Sequence, residues 1–205
     1  QLWADGNTNR KIFELVGWDW EMPATWFQSV NPFFIAALTP FINVLWARQA
    51  KKGTEPSSAS KMAIGAFFLG ISYIVMIGGA RVFASGALAS MWWLIGATFL
   101  ATVGELYLSP VGLSLVTKIS PVRIVSMMMG IWFLSSFAGN YLSGYLGTFW
   151  EKMSKESFFI MMGSISLGTG VLMVLCYYPL KKAIGDENKV SDSEPAIPTA
   201  SDAAA

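Results

Sequence analysis

Five apolar runs, each long enough to cross a lipid bilayer, are separated by short polar segments in this sequence. An α-helix rises about 1.5 Å per residue, so about 20 residues cross a hydrocarbon core of about 30 Å. Only 13% of the residues are charged, whereas soluble domains average roughly 25%. The sequence therefore predicts an all-α membrane protein with five transmembrane helices, at residues 24–46, 62–80, 91–117, 124–148 and 158–180.

The segments at the two ends of the chain differ from the spans between them. Residues 1–23 mix charged residues with a turn signal, Asp5-Gly6, and are predicted to form a lead-in outside the hydrocarbon. Residues 185–205 are rich in Asp, Glu, Ser, Pro and Ala, a composition too polar to pack, and are predicted to form a disordered tail. The spans and their connections, residues 24–184, form the predicted membrane domain.

Basic residues predict the orientation of the spans. If the first span enters from the outside, nine of the 14 Lys and Arg residues lie in inner segments and five lie in outer ones. The positive-inside rule then places the C-terminus in the cytoplasm. A polar N-terminus on the outer side, without a signal peptide, implies at least one upstream span, so we expect these five spans to be the end of a larger bundle.

The third span places a carboxylate, Glu105, near its middle. A charge at that depth costs about 2.5–3.5 kcal/mol on insertion scales, so such residues usually face a bundle interior or a watery cavity. Spacings of three and four residues put Glu105 on one face of the helix, in a polar stripe formed by Thr98, Thr102, Glu105, Ser109 and Gly112. We predict that this polar stripe faces a functional cavity. The alternative is a structural ion pair with a neighbouring helix.

Prolines interrupt two of the spans beside polar residues. Pro110 frees the carbonyl of Leu106, next to Glu105, as a backbone acceptor. Asn31 directly precedes Pro32 in the first span, and its amide can both donate and accept hydrogen bonds. Transporters often build binding sites where helices break. We therefore expect a break in each of these helices beside the site.

The fourth span carries a tryptophan at mid-depth. Trp132 lies about eight residues inside the span, on one face with Ser136 and Asn140. A mid-depth indole belongs either to the bundle core or to a cavity wall, and the polar neighbours favour the cavity wall. The second span, by contrast, carries no charge, and we expect it to be a packing helix at the periphery of the bundle.

Composition excludes several classes of function. The sequence has no histidine, which removes histidine metal sites, Ser-His or Cys-His catalysis and histidine proton relays. A net charge of +1 offers no basic surface for nucleic acid. The single cysteine, Cys176, can form no disulfide within the chain. We predict no metal, no cofactor, no nucleic-acid partner and no enzymatic activity.

Three segments resemble motifs of the proton-dependent oligopeptide transporters (POT), a family of the major facilitator superfamily. They are WFQSVNPFFI at 26–35, GELYLSPVGLS at 104–114 and MMGIWFLSS at 128–136, and they look like that family's eighth, tenth and eleventh helices. Residues 5–10 also resemble the segment after its seventh helix. The likeness covers about residues 1–182, and it is specific because the motifs occur in the same order and spacing.

The resemblance implies a twelve-helix transporter fold of which this chain forms most of the C-terminal lobe, helices eight to twelve. It implies proton-coupled symport of di- and tripeptides by alternating access, with an inner gate around residues 113–129. The carboxylates that couple protons in the family fall outside this chain. The implied partners are small peptides, protons, the lipid bilayer and the N-terminal lobe of the same transporter. The residues implied to line the peptide-binding cavity are Asn31, Glu105, Ser109, Trp132 and Ser136.

The expected location is the cell membrane, specifically a bacterial inner membrane, crossed several times. Two other functions stay open. A proton-conducting or structural subunit of a membrane complex also has broken helices, but such subunits usually carry buried lysines, whereas every lysine here falls in a predicted loop or tail. An intramembrane protease would use Gly112-Leu-Ser114, but a second Gly after the Ser and a histidine base are both missing from this sequence.

Overall fold

The structure, a computed structural model, describes residues 2–9, 23, 25–86 and 88–184. The predicted tail and residues 10–22 of the predicted lead-in lie outside the described residues. The chain begins with a short helix, α1 (Leu2–Gly6), and a two-residue strand, β1 (Thr8–Asn9). Five long helices follow, with a second short strand, β2 (Ala89–Ser90), before the third of them. The long helices are α2 (Trp26–Lys51), α3 (Ser58–Ala84), α4 (Met91–Ile119), α5 (Val125–Gly147) and α6 (Lys155–Ile184).

The fold-class prediction of an all-α membrane protein is confirmed. Four helices are long and apolar enough to cross a membrane: α2, α3, α4 and, over Lys155–Cys176, α6. The fourth predicted span corresponds to α5, which has 23 residues and is therefore about 35 Å long. All five long helices thus exceed the thickness of a hydrocarbon core of about 30 Å.

The prolines do not break the helices. α2 runs through Pro32 and Pro40, and α4 runs through Pro110, as continuous helices. The prediction of broken helices at these positions is therefore wrong. Each proline removes one backbone hydrogen bond, while the other hydrogen bonds of a helix of 26 or 29 residues remain.

α3 lies between α4 and α6 and holds more buried residues than any other described helix. Its crossing with α4 is close because Gly65 faces Gly104. A Cβ added to Gly65 would lie 2.7 Å from the carbonyl oxygen of Gly104, and one added to Gly104 would lie 2.6 Å from the carbonyl oxygen of Gly65. α3 is thus a packing helix, as expected, but within the described part of the bundle it lies between two neighbours and not at an edge, because small residues let both approach it. Its peripheral position in the larger bundle stays a prediction.

An aromatic cluster closes one end of the bundle. Trp3 of α1 is buried, and its ring centroid lies 5.9 Å from that of Phe83, 6.4 Å from that of Trp150 and 5.4 Å from that of Phe159. Parallel pairing of β1 with β2 fastens the segment after α1 to the connection between α3 and α4. The ends of α3 and α5 and the starts of α4 and α6 meet here, so the helices from α3 to α6 alternate in direction. The connections at 52–57 and 120–124 therefore both lie at the opposite end.

That opposite end holds a buried lysine. Lys61 lies in the first turn of α3, is 8% exposed, pairs with Glu55 and sits 4.4 Å from the centroid of the Trp46 ring. The prediction that every lysine falls in a loop or tail is wrong. Besides Lys61, the described helices contain five lysines near their ends: Lys51, Lys118, Lys155, Lys181 and Lys182. α3 begins before Lys61 because the side chain of Ser57 caps the helix by accepting a hydrogen bond from the backbone N–H of Ser60.

Candidate binding cavity

Glu105 and Asn31 meet between α4 and α2. Nδ2 of Asn31 donates a hydrogen bond to Oε2 of Glu105 at 3.1 Å. Asn31 is half-buried, whereas Glu105 is exposed on its face of α4. Within the described part of the chain, the hydrogen-bonding partner of the carboxylate is an amide and not a lysine or arginine, which argues against the structural ion pair considered above. Because the amide is neutral, the negative charge stays available to a ligand.

Thr102 holds the other side of the same amide. Its Oγ1 donates to Oδ1 of Asn31 at 2.6 Å, and it also lies 2.8 Å from the carbonyl oxygen of Thr98. Thr102 is completely buried. The sequence analysis placed Thr102 in the polar stripe but not among the site residues. The signal for its role was its position one turn before Glu105, which puts both side chains on the same helix face.

A cavity of about 680 Å³ opens beside this pair. The cavity brings together four of the predicted site residues, with Glu105 and Ser109 on α4 and Trp132 and Ser136 on α5. Asn31 does not line the cavity, but it is hydrogen-bonded to Glu105, which does. The volume falls within the range of about 300–1,000 Å³ that small-molecule sites occupy. The other lining residues are Ile35, Thr39, Ile42, Asn43, Trp46, Leu106, Pro110, Leu113 and Phe133.

Trp132 forms one wall of the cavity because α4 carries a glycine where the indole rests. A Cβ added to Gly112 would lie only 2.2 Å from Cη2 of Trp132 and 2.9 Å from Cζ2. The ring therefore packs directly on the backbone of α4, two residues after Pro110. Asn140, which shares a face of α5 with Trp132, is exposed and does not line the cavity. The polar stripe thus supplies the negative charge, at Glu105, and the space that the Trp132 indole occupies, at Gly112.

α2 contributes a face that the sequence analysis missed. Five cavity residues follow one another along it at spacings of one, three and four, and all lie C-terminal to Asn31: Ile35, Thr39, Ile42, Asn43 and Trp46. The available signal was the helical spacing of two polar residues, Thr39 and Asn43, within an apolar run. This face is mostly apolar, with one hydroxyl and one amide.

The chemistry of the cavity favours a small cation with an apolar body. Glu105 is the sole ionisable side chain among the described residues that line it. A primary ammonium supplies three donors, and a hydrogen bond between two charged groups is roughly twice as strong as a neutral one. The side chains of Leu113, Trp132 and Phe133 offer apolar surface, and apolar contacts do not require one particular ligand shape. The arrangement is therefore chemically suited to an amino group and leaves room for variation elsewhere in a ligand.

Comparison with known proteins adds independent information. The sequence model of the POT family matches residues 3–171. The chain is 37% identical over 148 residues to the peptide transporter YePEPT of Yersinia enterocolitica, an overlap that covers 71% of this chain and 28% of that protein. It is 29% identical over 185 residues to a di-/tripeptide transporter of Lactococcus lactis subsp. cremoris, with 90% of this chain and 37% of that protein covered.

Solved structures agree with these relatives. The chain superposes on a peptide transporter POT in complex with sulfate with a TM-score of 0.77, at 30% identity, covering 91% of this chain and 35% of that one. A mutant of the peptide transporter POT in complex with alafosfalin gives a TM-score of 0.78, at 30% identity, covering 90% and 36%. The chain therefore spans between 28% and 37% of the length of these proteins.

Proposed function

Because this chain belongs to the POT family and is part of a multi-pass membrane protein, we propose that it forms most of the C-terminal lobe of a transporter for di- and tripeptides. In this proposal the transporter moves each peptide across the cell membrane together with protons, and an N-terminal lobe of the same protein completes the cavity. Both relatives described above are peptide transporters by name. The family consists of transporters, so we assign no enzymatic activity.

The observation that carries the proposal is the hydrogen bond between Asn31 and Glu105 beside the cavity. Di- and tripeptides share an ammonium and a carboxylate, while their side chains vary. Glu105 is proposed to accept the ammonium, with Asn31 completing the site and Ser109 and Ser136 adding hydroxyl groups. Trp132 would supply adaptable apolar surface for the side chains. A site that holds the termini of a peptide can accept many sequences.

Transport requires that the cavity open to each side of the membrane in turn. We propose that the two lobes rock about this site and that the connection between α4 and α5 belongs to the inner gate. α4 ends at Ile119 and α5 begins at Val125, within the expected gate at 113–129. The distribution of basic residues supports the proposal that this connection and the C-terminus lie in the cytoplasm.

Proton coupling is proposed to depend mainly on groups of the other lobe. Glu105 is the one ionisable group among the described lining residues, and its charge is needed for the ammonium. Lys61 is buried, as lysines of proton-conducting subunits are, but it lies in the first turn of α3 and pairs with Glu55. This position at a helix end does not favour a proton path through the middle of the bundle.

The test uses the full-length protein that carries this sequence, reconstituted into proteoliposomes. We expect saturable uptake of a labelled dipeptide that increases with an imposed inward proton gradient. Unlabelled di- and tripeptides should compete, whereas the same dipeptide with an acetylated N-terminus should compete poorly, because it has no ammonium. Proton flux that is independent of peptide, together with no dipeptide uptake, would refute the proposal and favour a proton-conducting subunit.

A further inference from the structure

We propose that Thr102 is a positioning residue that orients the Asn31 amide and so keeps the Glu105 carboxylate aligned for a ligand's ammonium. The proposal rests on the proposed function, because the ammonium of the peptide reports the alignment. Thr102 lines no part of the described cavity and is completely buried, so it acts through its neighbour and not by touching the ligand.

The two ends of the Asn31 amide need different hydrogen-bonding partners. An asparagine side chain has one end that only accepts hydrogen bonds and one end that only donates them. An ionised carboxylate only accepts, so Glu105 requires the Nδ2 end, as the 3.1 Å contact shows. The Oδ1 end must then face a donor, and the hydroxyl of Thr102 is that donor at 2.6 Å. Thr102 and Glu105 therefore satisfy opposite ends of one amide.

The hydroxyl has one proton and two acceptors within reach. Oδ1 of Asn31 lies at 2.6 Å and the carbonyl oxygen of Thr98 lies at 2.8 Å. Without the hydroxyl, Oδ1 would face a completely buried position where water cannot replace the lost donor. The amide would then gain by turning Oδ1 elsewhere, and this rotation would withdraw Nδ2 from Glu105. The carboxylate would lose its aligned orientation although its charge is unchanged.

The chain offers a matched control one turn away on the same helix. Thr98 has the same side chain, but its hydroxyl donates to the carbonyl oxygen of Leu94 at 2.8 Å, a bond that stays within α4. Replacing Thr98 with Val removes a hydroxyl from the polar stripe without touching the amide of Asn31. Any general effect of removing a threonine hydroxyl from α4 should therefore appear in both variants.

The experiment measures dipeptide affinity of the purified full-length protein for the wild type, Thr102→Val, Thr102→Ser and Thr98→Val. We expect Thr102→Val to weaken binding by about three- to tenfold, as for loss of one buried hydrogen bond. The affinity for the N-acetylated dipeptide should change by less than about twofold, because that ligand does not use the aligned charge. Thr102→Ser, which keeps the donor, and Thr98→Val should both stay within about twofold of the wild type.

A double-mutant cycle separates positioning from general damage. In a Glu105→Gln background the charge is already gone, so adding Thr102→Val should weaken dipeptide binding by less than about twofold. The proposal is overturned if Thr102→Val binds the dipeptide as tightly as the wild type does, or if its affinity for the N-acetylated ligand falls equally. It is also overturned if Thr98→Val loses as much dipeptide affinity, or if the effects of Thr102→Val and Glu105→Gln are fully additive in the cycle. If Thr102→Val does not fold, Thr102→Ala provides the same comparison. A wild type that binds no dipeptide refutes the proposed function itself, which distinguishes the two failures.

Discussion

Replacement of Glu105 by Gln tests the central role assigned to its charge. Gln has the same length and shape as Glu, and its Oε1 can still accept the hydrogen bond that Nδ2 of Asn31 now gives to Glu105. The pairing of α2 with α4 should therefore persist. The substitution removes the negative charge and little else, so a change in ligand affinity reports the charge.

The size of the effect follows from the geometry of the carboxylate. Among the described contacts, Asn31 occupies Oε2 of Glu105, and Oε1 is left for the ligand. Two unit charges 4 Å apart attract by about 4 kcal/mol at an effective dielectric constant of 20. Removing water from the exposed carboxylate and from the ammonium offsets part of this attraction. Hydrogen bonds to charged groups contribute about 1.5–3 kcal/mol net, so we expect dipeptide binding to weaken roughly ten- to hundredfold.

Isothermal titration calorimetry on purified full-length protein measures this change directly. The N-acetylated dipeptide should lose far less affinity than the free dipeptide, and Glu105→Asp, which keeps the charge with a shorter reach, should fall between the wild type and Glu105→Gln. Unchanged affinity of Glu105→Gln for free dipeptides, together with loss of proton-driven uptake, would refute the ammonium-binding role of Glu105. Glu105 would then be a proton-coupling group and not the partner of the ammonium.

Three further predictions concern packing and topology. Gly112→Ala should displace the Trp132 indole and destabilise the protein by about 1–3 kcal/mol. The measurements are a lower Tm and altered tryptophan fluorescence. Adding Trp132→Phe to Gly112→Ala should partly restore stability. Gly65→Ala should lower the Tm more, because the new Cβ meets a backbone carbonyl that cannot move aside, whereas Gly96→Ala on α4, where nothing lies within 4 Å, should have little effect. In the full-length protein with Cys176 and any other native cysteines removed, single cysteines in the α2–α3 and α4–α5 connections should react with an impermeant reagent from the same membrane side. Labelling from opposite sides would refute the alternation of helices.

The helices and the charged centre of the site were predictable because each depends on local sequence. Long apolar runs have few alternatives to a membrane helix, and a lone carboxylate within such a run demands a polar environment. The stripe that contains Glu105 and Ser109 follows from helical periodicity alone. Trp132 could be placed on the cavity wall for the same reason, since its polar neighbours share its face.

Most of the features that the sequence did not predict depend on contacts between segments that are distant in sequence. The pairing of β1 with β2 joins only two residues on each side, which is too short for any periodic signal. Lys61 could not be recognised as buried, because its burial depends on Glu55 and on Trp46 of another helix. Thr102 was visible on the polar stripe, but its bond to Asn31 links residues 71 positions apart. Helix continuity at the prolines is an exception, because one lost hydrogen bond is small beside the many that a helix of 26 or 29 residues retains.

The choice of an amide as the partner of Glu105 has a consequence for how such a site can bind and release its ligand. A lysine or arginine in place of Asn31 would neutralise the carboxylate, and an incoming ammonium would have to displace it. The amide orients the carboxylate while leaving its charge in place, so the ammonium adds an interaction without breaking one. In the empty cavity, hydration stabilises that charge, because Glu105 is exposed on its face of α4. Closing the cavity without a ligand would strip this water at a cost of the order of the insertion penalty, about 2.5–3.5 kcal/mol. In the proposed transporter, the carboxylate that binds the ammonium would therefore also oppose closure of the empty cavity, and this would link ligand binding to the conformational change.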